Sequence, residues 1–138
     1  MNAVRRKTKR TVNRGRLIIM ADDAFSLYIR ERDGYVCFTC GLKGHPRDGV
    51  MQCGHLITRR SYSTRWDELN AHCQCRGCNF RHEYDYEVYR AAFVHRYGED
   101  RYQELYAASK KIAKISNSEL EDIAKYYKRK LETLKEAI

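Results

Sequence analysis

Residues 37–82 read CFTCGLKGHPRDGVMQCGHLITRRSYSTRWDELNAHCQCRGCNFRH. Two Cys-x-x-Cys pairs lie in this stretch, Cys37/Cys40 at its start and Cys75/Cys78 near its end. Zinc takes four ligands in a tetrahedron, and two thiolate pairs on two tight turns complete one closed, structural site. The 34 residues between the pairs exceed an ordinary finger and leave room for a strand–loop–strand insert. Residues 50–55 and 69–74 read as the strands and 56–68 as the loop between them, and a helix starts at Asn79 and runs to residue 97. The expected fold class is α+β and mostly helical: a zinc-clamped core of two strands and a helix, with an N-terminal helix and C-terminal helices.

Working outward, Asp22 or Asp23 can cap a helix that runs to residue 33, with Gly34 as its stop. Residues 1–20 read as a basic, flexible arm and 21–138 as one domain. Beyond the stretch, Tyr86, Tyr89, Phe93 and Tyr97 recur at helical spacing and read as core. A further helix is expected over 99–115, with Tyr102, Leu105, Tyr106 and Ile112 inward. Ser116 and Glu119 form a capping box for a last helix to residue 135. Its apolar stripe of Leu120, Ile123, Ala124, Tyr127, Leu131 and Leu134 fits a core face and leaves a homodimer open.

The net charge of +9 is concentrated: residues 1–16 carry seven basic side chains and no acid, leaving +2 for the rest. Such an arm, with Arg5, Arg6 and Lys7 in it, fits attraction to a phosphate backbone, against the plainer reading of a solvated start. Six cysteines could also build a disulfide framework, but that needs an oxidising compartment and nothing here signals export. The apolar run at 17–20 is far too short to span a bilayer, so a soluble protein of the cytoplasm is expected. A dithiol redox protein is the third class that Cys-x-x-Cys allows.

Inside the insert the residue types fit phosphodiester cleavage, which needs a base for water, a hard cation and a group to aim the base. His55, ending the first strand, suits the base, because imidazole titrates near neutrality. Asn79 can offer a carbonyl oxygen to Mg²⁺. His82 and Glu83 follow three and four positions later, on the same helix face. Asn70 can bond backbone across the loop and fix the strand that carries His55. Arg59, Arg60 and Arg65 of the loop are placed to meet phosphates, with Trp66 read as core or as a stacking surface for an unpaired base. His45 reads as an exposed loop residue, His72 as a strand histidine packed beside the zinc lobe, and Cys53 and Cys73 as small strand residues.

These blocks resemble the HNH, or ββα-metal, nucleases, and more closely the NinG/Rap family of lambdoid phages. The matching text is FSLYIRERD, CFTCG, CGH, RWDELNAHCQCRGCN, the YR…YG helix and the Lys/Glu-rich last helix, over about residues 24–138. The resemblance implies a phage- or prophage-encoded endonuclease for branched DNA such as Holliday junctions and D-loops, working with Mg²⁺ or Mn²⁺, as a dimer. It assigns zinc to Cys37, Cys40, Cys75 and Cys78, the base to His55, the brace to Asn70 and the catalytic cation to Asn79. One position departs from the pattern: related nucleases place an acid or histidine just before the base, where this chain has Gly54. His82 ranks first as the second cation ligand, ahead of Glu83, His72 and the phosphate itself. The runner-up reading is a zinc-stabilised module that binds branched DNA without cutting it.

Overall fold

The computed structural model describes residues 13–137. Helix α1 (Arg14–Arg32) starts well before Asp22, and Asn13 caps it by accepting from the Gly15 amide at 2.8 Å. The cause is an apolar face that runs unbroken through Leu17, Ala21, Ala24, Phe25, Tyr28 and Ile29, all buried. Residues 14–20 therefore belong to α1 and not to an arm, while Arg5, Arg6 and Lys7 lie outside the described residues. Gly34, at φ 61°, ends the helix as expected.

Two strands follow, β1 (Met51–His55) and β2 (Ala71–Cys75), paired antiparallel with Met51 opposite Cys75 and His55 opposite Ala71. A short helix α2 (Tyr62–Arg65) and a 3-10 turn, Glu68–Asn70, lie between them. Helix α3 (Arg76–Arg81) leaves β2 directly. The helix expected over 79–97 is interrupted after Arg81 and resumes as α4 (Tyr86–Tyr97). The interruption has a tertiary cause. His82 is drawn to the Leu56 carbonyl at 2.7 Å, and the new direction lets the Tyr89 hydroxyl reach the Gly54 carbonyl at 2.9 Å.

Helix α5 (Glu99–Ser109) stops short of residue 115. The hydroxyls of Ser61 and Ser63 take up the carbonyls of Ser109 and Ala108, which an extended helix would have used. Ile112 is consequently outside the helix and exposed, not inward, and Tyr106 is exposed as well. Helix α6 (Asn117–Glu136) begins at the expected cap, with the Glu119 amide bonding Ser116 Oγ at 3.1 Å.

The packing is mostly helix on helix, with the two-stranded sheet beneath. α6 lays its stripe on α1: Leu120 meets Leu17 and Ala21, and Tyr127 meets Phe25 and Tyr28. Each such side chain, fully buried, stabilises the fold by about 1.5–3 kcal/mol. The stripe that left a homodimer open is thus used inside the chain. On the other side, Leu56 and Ile57 pack with Tyr89, Phe93, Tyr102 and Leu105. None of the described helices is long and apolar enough to cross a membrane.

Candidate active site and metal centre

The four cysteines are brought together by backbone. The Cys37 amide bonds the Leu42 carbonyl at 2.8 Å and the Gly41 amide bonds the Cys37 carbonyl at 2.9 Å, which folds residues 37–42 into a tight turn. The Phe38 amide then bonds the Cys73 carbonyl at 2.8 Å and ties this turn to β2. In the second turn the Cys78 amide donates to Cys75 Sγ at 3.5 Å. The ligand atoms of Cys37, Cys40, Cys75 and Cys78 all lie within 4.8 Å of one another, so the cluster could hold a metal ion such as zinc. Cys40 and Cys75 sulfurs are 3.8 Å apart, the edge of a tetrahedron with metal–sulfur bonds of about 2.3 Å. Cys73 and Cys53 stay outside the cluster: Cys73 is buried beside it, and Cys53 packs against α1. Burial pushes the Cys53 thiol up to about 12.

The second constellation lines a cleft of about 1040 Å³ between α1 and α3. β1 gives Gln52 and His55 to its wall, and α3 with the turn after it gives Asn79, His82 and Glu83. His55, Asn79 and His82, separated by up to 27 positions in the chain, therefore share one space. His72 does not reach it. His72 is buried, with Nδ1 donating to the Tyr89 hydroxyl at 2.8 Å and Nε2 accepting from the Tyr97 hydroxyl at 3.0 Å. Because Tyr89 gives its own proton to the Gly54 carbonyl, the donor order along this chain is determined. His72 packs beside the cysteine turn, stacked on Phe38 at 4.0 Å, and burial lowers its pKa to about 3.

Two carbonyls fix the two cleft imidazoles. His55 Nε2 lies 2.8 Å from the Arg65 carbonyl, and His82 Nε2 lies 2.7 Å from the Leu56 carbonyl. A carbonyl only accepts, so both rings carry a proton on Nε2, and in a neutral ring Nδ1 holds the lone pair. His82 Nδ1 is buried and has no partner. Burial lowers the His55 pKa to about 4, an effect the Arg65 carbonyl partly offsets. The imidazole is neutral at physiological pH and able to take a proton.

Asn70, fully buried, sits between those two carbonyls. Its Oδ1 accepts from the Ile57 amide at 2.8 Å, and its Nδ2 donates to the carbonyls of Ile57 and Thr64, each at 3.0 Å. Ile57 and Thr64 are the neighbours of Leu56 and Arg65, so one amide sets the positions of both ring-holding carbonyls. Asn79 Nδ2 donates to Gln52 Oε1 at 2.8 Å, which leaves its own Oδ1 as the lone-pair atom.

Gly54 has a steric reason. A Cβ there would fall 1.8 Å from Gln74 Oε1, so no larger residue fits while Gln74 keeps its place. Carboxylates reach the cleft from elsewhere: Asp22 and Asp23 of α1, and Glu83. Sequence reasoning took Asp22 and Asp23 for caps. The signal that could have found Asp22 is the polar row Asp22, Ser26 and Arg30, one helical turn apart along the flank of the buried face.

The loop arginines divide. Arg65 is only 15% exposed and grips Asp22 with Nε at 3.1 Å and Nη2 at 2.6 Å, so its guanidinium clamps the loop to α1. Trp66 joins the same carboxylate through Nε1 at 3.0 Å and packs against the α1–α6 core. Arg59, with a side chain 60% exposed, and the exposed Arg60 remain on the cleft wall. Arg30 and Lys110, which the sequence did not single out, stand there too.

The family model described as "NinG: Bacteriophage Lambda NinG protein" matches residues 1–137. The chain belongs to the NinG family. NinG membership spans the cysteine cluster and the cleft alike, and makes this a protein of a phage family. No curated protein and no solved structure matches the chain.

Proposed function

We propose that this NinG-family protein is a divalent-cation-dependent endodeoxyribonuclease of the ββα-metal (HNH) type, acting on branched recombination intermediates such as Holliday junctions and D-loops. The observation that carries the reading is His55: neutral, ordered by the Arg65 carbonyl, with Nδ1 free in a cleft that also holds Asn79 and His82. On this reading the four cysteines hold zinc in a closed site with no open position, which is a structural role.

His55 Nδ1 takes the proton of a water, whose oxygen attacks phosphorus as the bond to the 3′ oxygen breaks and that oxygen leaves with the electron pair. Asn70 does not touch substrate; it positions His55 and His82 through the loop. Donor types that a hard cation takes line this cleft: Asn79 Oδ1, the orphaned His82 Nδ1, and the carboxylates of Asp23 and Glu83. A divalent cation held there would supply charge stabilisation at the phosphate and the leaving oxygen. Arg59, Arg60, Arg30 and Lys110 on the walls are suited to phosphates and not to base edges, which favours selection by DNA shape.

The test is cleavage of a junction and a linear duplex by wild type and His55→Ala, with Mg²⁺, Mn²⁺ or EDTA. Loss of cleavage by about 10²–10⁴-fold is expected, with junction binding preserved. Unchanged cleavage by the variant would sink the assignment of His55. A second reading, a branched-DNA-binding module without cleavage, is favoured by the absence of an acid at Gly54 and by the lack of a second converged ligand cluster among the described residues. Metal-independent binding by wild type, with no product under any ion, would select it.

A further inference from the structure

Residues 105–118 contain no acidic side chain and three lysines, Lys110, Lys111 and Lys114. Within them, residues 110–116 connect α5 to α6 without regular structure. The connection is anchored at both ends. Ser61 and Ser63 bond the last carbonyls of α5, and Ile115 packs against the Leu17–Leu120 cluster. Between the anchors, Ile112 is 93% exposed, the most exposed large apolar side chain among the described residues. Ser61 and Ser63 belong to the loop that carries Arg59 and Arg60. The lysine connection and that loop therefore form one cationic rim, and Lys110 and Arg60 both line the cleft of His55.

We propose that this rim is the DNA track of the protein and that Ile112 is its wedge, the side chain that enters the base stack at a branch point. The charge selects the partner, because a row of lysines without a single acid complements a phosphate backbone. The apolar residue selects the place. Inserting an aliphatic side chain costs unstacking energy, which is lowest where pairing is already interrupted, as at a junction. Lys110, Lys111 and Lys114 hold the backbone on either side while Ile112 enters. The rim thus gives affinity for any duplex, and Ile112 gives preference for the branch. This rests on the DNA-binding half of the function proposed above and not on cleavage.

The test is done in EDTA with the full chain, so a protein that never cleaves is still informative. A junction carrying 2-aminopurine at the branch point, and a second carrying it within an arm, report unstacking. Wild type should raise the fluorescence at the branch and not in the arm. Ile112→Ala should return the branch signal to that of free junction, with linear-duplex affinity and melting temperature unchanged, as suits so exposed a side chain. Replacing Lys110, Lys111 and Lys114 together by Gln should lower the slope of log affinity against log salt by about 2.7, at about 0.9 per phosphate contact. An unchanged slope overturns the track. A branch signal that survives Ile112→Ala overturns the wedge. So does a wild-type dimer that Ile112→Ala converts to monomer in sedimentation, which would make this face a contact between copies.

Discussion

The cysteine cluster and the cleft solve opposite problems with the same two strands. The cluster converges: four soft ligand atoms come within 4.8 Å through turns whose amides and carbonyls bond one another locally. The cleft disperses: its two imidazoles are held apart by carbonyls of one loop, and the residues facing the space come from several elements. Each half of the closed site is specified by spacing within a few residues, and the Phe38–Cys73 bond joins the halves. An open one depends on packing across the whole chain, and so it is easier to damage from a distance.

The largest expected effect falls on the closed site. Structural zinc contributes on the order of 10 kcal/mol at neutral pH, as much as the entire stability of a domain this size. Metal removal, or Cys75→Ser, should abolish the cooperative thermal transition seen by circular dichroism, and elemental analysis should find about one metal per chain. A metal-free chain that melts unchanged would break the comparison. Next comes Asn70→Ala, which removes three buried hydrogen bonds and strands the groups of Ile57 and Thr64. A loss on the order of 3 kcal/mol in denaturant melts is expected, with the metal still bound.

The third prediction concerns acid. Unfolded histidine titrates near 6.5, whereas folded His55 titrates near 4 and His72 near 3. Below pH 6.5 the unfolded chain binds more protons, so this stabilisation is full above 6.5 and is lost as pH falls through 4 and 3. Imidazole NMR resonances should show neither ring titrating between pH 8 and 5. A midpoint for His55 above 6 would remove the basis for its neutrality. The smallest effect sharpens the reading of the odd glycine. Gly54→Ala should cost about 1–3 kcal/mol by displacing Gln74, and Gln74→Ala in the same chain should recover most of it. A Gly54→Ala protein as stable as wild type would mean that Gln74 moves freely.

What the sequence made legible follows the same division. The Cys-x-x-Cys pairs, the Ser116 cap and the strand ends around His55 all rest on neighbours within a few residues, and they were readable. The Arg65–Asp22 clamp was not, because its partners stand 43 positions apart. The break after Arg81 was invisible, since helical periodicity continues across it and only the Leu56 carbonyl interrupts it. The start of α1 was hidden by charge: Arg14 and Arg16 read as a tail, while Leu17 and Ala21 wait for α6 to bury them. Periodicity places Ile112 inward, because it cannot register that two serines end the helix before it.

Asn70 has one more consequence. With its bonds at Ile57 and Thr64, it acts as a caliper whose jaws are the Leu56 and Arg65 carbonyls, and residues 58–63 loop outside the jaws, tied to α5 by Ser61 and Ser63. Substitutions at its exposed positions 58–60 can change the charge of the loop while the spacing of the two imidazoles is preserved. The charge of the rim and the spacing of the imidazoles thereby belong to separate parts of one loop.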